Sequence, residues 1–240
     1  MNPVLVFDMD ETLIASTKTY TKETDTYNIE KIIFNERLLE IIRRAKSLQE
    51  KRRIDAILLL TNNKNINCIY EGKQMKFLNL VDFIYSERYK DPTYTFLGLF
   101  DNIYTAEANN AKGRITRNYN FVPQDERFKS SATAWSGNLN EKFRYREKKD
   151  IKTIKKMLEG LNISKDDFQD RIYFFDDEAI PHAIKEELEG QKGAYITITP
   201  PFGKGEDKTD LEPIEQKLKE LESLKGGTRR RKKKRTTLRK

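Results

Sequence analysis

Apolar residues in this chain fall in short unbroken runs, separated by segments in which they recur every three or four positions. The runs are "VLVF" at 4–7, "IDAILLL" at 54–60, "FDNIYTA" at 100–106, "RIYFF" at 171–175 and "AYITIT" at 194–199. Their length and near-continuous apolar character predict strands buried on both faces, as in a parallel sheet covered by helices. Between them, Leu38, Leu39, Ile41, Ile42 and Ala45 mark one face of a helix, and Ile151, Ile154, Met157, Leu158 and Leu161 mark another. Leu211, Ile214, Leu218 and Leu221 step by three and four, so "DLEPIEQKLKELESL" reads as a docked amphipathic helix closed by Gly226 and Gly227. Strands alternating with helices predict a doubly wound, Rossmann-like α/β domain whose ligands bind beyond the carboxyl ends of the strands.

Two stretches resist this scheme. Residues 64–99 fit either one long helix followed by a loop, or a helix with an extra strand at "VDFIYS". Residues 107–147 are polar with scattered aromatics (Tyr119, Phe121, Phe128, Trp135, Phe143, Tyr145) and have no sustained helical period. An insertion or lid of about 40 residues is expected there, its aromatics packing a small satellite core. The organisation is then one domain over 1–225 and a short tail over 226–240.

Charge changes the picture at that tail. The formal net charge of +8 would suggest nucleic acid or an acidic surface as partner. Yet "TRRRKKKRTTLRK" at 228–240 holds nine Lys and Arg and no acid, leaving 37 basic against 38 acidic side chains in residues 1–227. The body is neutral, and the tail is expected to be disordered and able to bind phosphate backbones without reading sequence. A nuclear-import signal or a solubility element is the plainer reading of the same run. One cysteine, Cys68, excludes an internal disulfide framework and a Cys-based zinc cluster, which suits an intracellular protein. No apolar run approaches a membrane span, and the chain runs straight into a strand with no leader, so a protein with no membrane partner and an unprocessed start is expected.

Candidate chemistry sits where the strands end. Asp8 and Asp10 follow "VLVF", and positions i and i+2 of a strand share a face, so the two carboxylates should project together. Like charges this close repel, and a divalent cation with a preference for hard oxygen ligands, such as Mg²⁺, relieves them. After "AILLL" come Thr61, Asn62 and Asn63, where a hydroxyl and amides could hold phosphate oxygens at the start of a helix. After "RIYFF" come Asp176, Asp177 and Glu178, and "EKKDIKTIKKM" offers Lys148, Lys149 and Lys152 at the start of another helix. Carboxylates, a hydroxyl, a metal and a lysine together make a phosphoryl-transfer site.

This order resembles the haloacid dehalogenase superfamily of phosphatases: D-x-D-x-T after an apolar strand, a strand ending in Thr-Asn, a lysine opening a helix, and a strand ending in Asp-Asp. The resemblance covers residues 4 to about 200. It implies a Mg²⁺-dependent phosphoric monoester hydrolase in which Asp8 takes the phosphoryl group as an aspartyl phosphate. An ordinary carboxylate is ionised at neutral pH and needs no activating base for this. It implies further that Asp10 protonates the leaving group, then deprotonates the hydrolytic water, and ligates the metal through its backbone carbonyl. Thr12 and Thr61 match the positions that hold phosphate. Lys149, with Lys148 as rival, would neutralise the phosphoryl oxygens, and Asp177 and Asp176 would join Asp8 and Asp10 around the metal. On the plainer reading Thr12 caps a turn, Asn62 is a helix cap, and Glu11 and Glu178 are solvated charges. His182 reads as structural and Cys68 as a small buried apolar residue.

Within the superfamily, "DMDETL" looks most like the branch containing the RNA-polymerase C-terminal-domain phosphatases, whose first motif reads D-x-D-E-T. The roughly 25 residues between Leu13 and the first helix suffice for a flap and are too few for a helical cap domain. The Arg-Pro-Gly helix start and the Asp-Asn-Ser-Pro ending of that branch are absent, the latter replaced by "DDEAIP". Polynucleotide phosphatases share the D-x-D-x-T and Thr-Asn elements but usually have Gly where Glu11 stands. Substrate candidates are therefore a phosphoprotein, a nucleotide or a nucleic-acid end. The basic ending and the Lys, Asn, Ile and Tyr-rich composition also look like those of proteins from large cytoplasmic DNA viruses, which would put the protein in host cytoplasm or a virion. Two competing expectations are a catalytically silent scaffold that binds through its tail, and a phosphotransferase.

Overall fold

The computed structural model describes residues 2–24, 26–63, 65, 67–90, 94–111, 114–121, 134–135, 151–164, 168–177 and 194–224. Its centre is β1 (Val4–Phe7), paired in parallel with β4 (Ala56–Thr61) on one side and β10 (Ile172–Asp176) on the other. β11 (Ala194–Thr197) extends the sheet beyond β10, and β7 (Asn102–Ala111) extends it beyond β4, both in parallel. Each of the five strands overlaps one of the apolar runs. The alternation of side chains explains why those runs are unbroken. Leu5, Phe7, Ile57 and Leu59 join one buried cluster with Leu38, Ile42 and Ala45 of α1 (Glu36–Glu50). Val4, Val6, Leu58 and Leu60 join a second cluster with Ile151, Ile154, Met157 and Leu158 of α3 (Ile151–Gly160). Both faces of the sheet are covered, as the sequence predicts. At the centre the Phe7 ring stacks on Phe175, centroids 4.3 Å apart.

The helices carry local signals for their ends and docking. Asn35 caps α1 by accepting from Leu38 N at 3.3 Å, and its own amide donates to Thr12 O at 3.1 Å, tying the helix to the end of the first strand. α4 (Glu212–Ser223) buries Ile214, Leu218 and Leu221 in the α1 cluster. Arg44 on α1 forks onto Glu222 at 2.9 and 3.1 Å, and Arg53 donates to the carbonyl of Leu221 at 2.6 Å, neutralising the open end of α4. The helix is docked as expected; Gly226, Gly227 and the basic tail lie outside the described residues. No helix among the described residues is long and apolar enough to cross a membrane.

A second, smaller sheet sits beside the first. β2 (Ile14–Thr21) and β3 (Thr26–Phe34) form an antiparallel hairpin in the segment between Leu13 and the first helix. β3 pairs in parallel with β5 (Asn67–Tyr70), which pairs antiparallel with β6 (Lys73–Lys76). The expectation for 64–99 needs correction here. Glu71 and Gly72 both have positive φ, 49° and 74°, the backbone of a tight hairpin turn, so 67–76 is a hairpin. "VDFIYS" lies in α2 (Phe77–Tyr89), helix rather than strand. Of the segment 107–147, where an insertion or lid is expected, residues 107–111, 114–121 and 134–135 are described. β7 runs on to Ala111 and returns as β8 (Arg114–Phe121), and β9 (Ala134–Trp135) pairs with β8, so the central sheet gains antiparallel strands at that edge. Phe128, Phe143 and Tyr145 lie outside the described residues.

Candidate functional site

The turn after β1 shapes the site. Asp8 N donates to Phe175 O at 2.9 Å, so sheet pairing continues one residue past Phe7. The chain then folds back: the Met9 carbonyl accepts from Leu13 N and Ile14 N at 2.9 and 3.0 Å, and Glu11 takes a left-handed φ of 54°. Met9 and Leu13, both fully buried, anchor this turn in the core. The expectation that Asp8 and Asp10 share a strand face rests on a strand that ends at Phe7; a turn carries the two residues instead. Both line one cleft.

Asp8, Asp176 and Asp177 each offer a carboxylate oxygen, and the three oxygens lie within 4.8 Å of one another. Asp8 is 4% exposed, Asp176 is fully buried at the end of β10, and Asp177 is half-buried beside them. Adjacent parallel strands ending in register bring these residues together; β1 and β10 pair Phe7 with Phe175. Oxygen donors alone, clustered and in part withdrawn from water, suit a hard divalent cation such as Mg²⁺. At an effective dielectric of 20, each like-charge pair at this separation costs roughly 3.5 kcal/mol without a counter-charge.

The Asp10 carboxylate is outside that trio and differently held. Lys18 Nζ lies 2.8 Å from Oδ1, and Asn63 Nδ2 donates to Oδ2 at 2.6 Å. Lys18 comes from β2, where the pairing register shifts between Thr17 and Lys18, so that both residues line the cleft instead of alternating away from it. Its ammonium also sits 5.0 Å from the ring centroids of both Tyr27 and Phe77. Thr12 and Thr61 are buried behind the cleft. Thr12 Oγ1 donates to Asp177 Oδ1 at 3.5 Å, while Thr61 Oγ1 accepts from Asn63 N at 3.1 Å and so shapes the turn that presents Asn62 and Asn63. Asn62 lines the cleft. Lys148, Lys149, Glu178 and His182 lie outside the described residues, and the side chain of Lys152 does as well.

The cleft has a volume of about 470 Å³. The strand ends make one wall; the β2–β3 hairpin and the loop carrying Phe202, Gly203 and Lys204 make the other. Those two parts touch: a Cβ on Gly203, whose φ is +86°, would stand 2.6 Å from the Ala15 Cβ. Phe202 N donates to Glu11 O at 2.6 Å, and Lys204 pairs with Glu11 at 3.1 Å. Glu11 therefore joins the strand-end turn to the opposite wall. Asp207 secures the same loop to α1. Burial raises its carboxyl pKa, but bonds from Thr209 and the Arg37 guanidinium at 2.7 Å outweigh that and hold it below the ordinary range.

Sequence reading missed Lys18, Lys31 and Lys204, all of which line the cleft. Lys18 and Lys31 sit on strands whose alternation is broken or weak, and Lys204 follows a loop with no periodicity at all. Only the Gly203 that precedes it was a visible signal of close approach. Comparison of the chain with protein-family models, with curated proteins and with solved structures gives no match.

Proposed function

We propose that the protein is a Mg²⁺-dependent phosphatase of the haloacid dehalogenase superfamily, working through an aspartyl phosphate on Asp8. The observation that carries this reading is the gathering of Asp8, Asp176 and Asp177 at the carboxyl ends of β1 and β10, with Asp8 and Asp177 lining a cleft. The order of motifs along the chain supports it, as does a strand order in which β1 lies between β4 and β10.

In this reading an Asp8 oxygen attacks phosphorus, and the bond to the leaving oxygen breaks as the Asp8–phosphorus bond forms. Asp10, which lines the same cleft, takes up a proton as substrate binds, in place of its contact with Lys18, and gives that proton to the leaving oxygen. It then takes a proton from the water that attacks the phosphoenzyme, which returns Asp8 as carboxylate and releases inorganic phosphate. Lys18 and Asn63 fix the orientation of the ionised Asp10 for the second transfer. Asp8, Asp176 and Asp177, and on the superfamily's pattern the Asp10 carbonyl, would hold Mg²⁺, which would supply positive charge for the phosphoryl oxygens. Lys149 is the residue the sequence offers for the remaining charge.

The test is release of phosphate from an aryl phosphate. Turnover should require Mg²⁺, stop with EDTA, and be lost in Asp8→Asn. No metal-dependent turnover by the intact protein on a broad phosphoester panel would overturn the proposal in favour of a silent scaffold. Transfer to an acceptor other than water would show in the products.

A further inference from the structure

We infer that the cleft holds a second phosphate beside the one delivered to Asp8, so that the substrate is a phosphomonoester on a carrier that is itself phosphorylated; this rests on the phosphatase reading. The inference starts from the cleft's two unlike walls. Asp8, Asp10 and Asp177 stand on the strand-end side, while Lys31 and Lys204 stand on the hairpin and loop side. Residues 1–227 are close to neutral overall, so cations on this wall are not the spill-over of a basic surface.

Their commitments differ. The Lys18 ammonium is taken up by Asp10 and two rings. Lys204 meets Glu11, but the two side chains are 61% and 40% exposed, and an ion pair so wet is worth little and easily exchanged. Lys31 makes no ion pair among the described residues. It stands opposite Thr17 in the hairpin register and shares a strand face with Ile33. A second anion would thus meet two ammonium groups and the Thr17 hydroxyl, all lining one cleft. Ile33 and Phe202 also line the cleft and offer apolar surface to whatever carries the two phosphates. The volume, about 470 Å³, falls within the rough 300–1,000 Å³ range of small-molecule sites.

A nucleoside bisphosphate and the phosphorylated end of a nucleic-acid strand share this chemistry, the strand's next phosphodiester acting as the second anion. A singly phosphorylated peptide does not. The test compares kcat/KM of the full chain with Mg²⁺ on adenosine 5′-phosphate, adenosine 3′,5′-bisphosphate, a 5′-phosphorylated oligonucleotide and a phosphoserine peptide. The bisphosphate, the oligonucleotide or both should exceed the monophosphate by about tenfold or more, as expected from one or two charge-assisted contacts. That ratio should collapse toward one in Lys31→Ala/Lys204→Ala and persist in Lys31→Arg. A higher value for the oligonucleotide than for the bisphosphate assigns the strand, and the reverse assigns the small molecule. A ratio near one in the unaltered protein, an unchanged ratio in the double variant, or a preference for the peptide overturns the inference.

Calorimetric titration of Asp8→Asn with the mono- and bisphosphate reads the same preference without turnover. Lysine-dependent preference without hydrolysis of any substrate sinks the phosphatase reading and leaves the anion site standing. Hydrolysis without preference does the opposite.

Discussion

Asp8→Asn should make the metal-free protein more stable while abolishing its activity. The substitution keeps the shape of the side chain and removes one of three negative charges whose oxygens lie within 4.8 Å. Two of the three like-charge pairs vanish, worth about 7 kcal/mol at an effective dielectric of 20 and the full 4.8 Å. Bonds to neighbouring groups and water around the half-exposed Asp177 absorb much of this, leaving an expected gain of about 1–2 kcal/mol. For a chain of this size that raises Tm by roughly 2–8 °C. Mg²⁺ should stabilise the unaltered protein by about 2.7 kcal/mol at a hundred times its Kd, and Asp8→Asn should blunt that response. Thermal unfolding in EDTA and across a Mg²⁺ series measures both quantities. An Asp8→Asn protein that melts lower than the unaltered chain in EDTA, yet shows the same Mg²⁺-dependent rise, would refute the account of the trio as a strained cation site.

Lys18→Met should keep the fold and lower kcat/KM on an aryl phosphate by roughly ten- to a hundredfold, since Asp10 loses a charge-assisted contact that orients it; an unchanged rate would remove Lys18 from the mechanism. Glu11→Val should cost about 1–2 kcal/mol in urea denaturation, because a β-branched residue fits the left-handed turn poorly, whereas Glu11→Gly should be tolerated. Asn35→Ala should cost about 1–2 kcal/mol by the same measurement, through loss of the α1 cap and of the bond to Thr12 O. Burial pushes the Cys68 thiol up to about 11. The unfolded thiol ionises first as pH rises, so stability present below about pH 8.5 should fall by up to roughly 3 kcal/mol on approaching pH 11. Urea midpoints across that range test this as the difference from Cys68→Ala, in which the half-buried Tyr104 and Tyr173, also raised, leave their own background loss.

The parts of the molecule that the sequence exposes are those where burial is one-sided in its demands. Strands such as β1 and β4 touch helices on both faces, so their residues are apolar without interruption and their ends are marked by the first carboxylate or hydroxyl: Asp8, Thr61, Asp176. The acidic trio was legible for that reason, since register between neighbouring strands aligns their ends. The short hairpin at 67–76 was not, because strands of four residues with polar side chains give neither period; only Glu71-Gly72 hinted at its turn. β8 has its own faint signal in Tyr119 and Phe121 alternating with Asn118 and Asn120, a period of two that a search for helices passes over. The basic wall was illegible in principle. Lys18 faces Asp10 because of a register shift at Thr17, and Lys204 meets Glu11 because of a loop fixed by Asp207 and Gly203; such contacts depend on chain paths rather than on composition.

The pairing of Thr26–Asn28 with Asn67–Ile69 has a kinetic consequence. A hairpin held only at its base could swing, and each binding event would then spend free energy on halting it. Here the distal end is hydrogen-bonded into a neighbouring strand and the proximal end leans on Gly203, so the wall is already in place before a ligand arrives. Capture from this side needs no closing step and no loss of hairpin freedom. Association should therefore be governed by diffusion and charge, rising at low ionic strength and insensitive to substitutions that stiffen the Thr21–Thr26 turn.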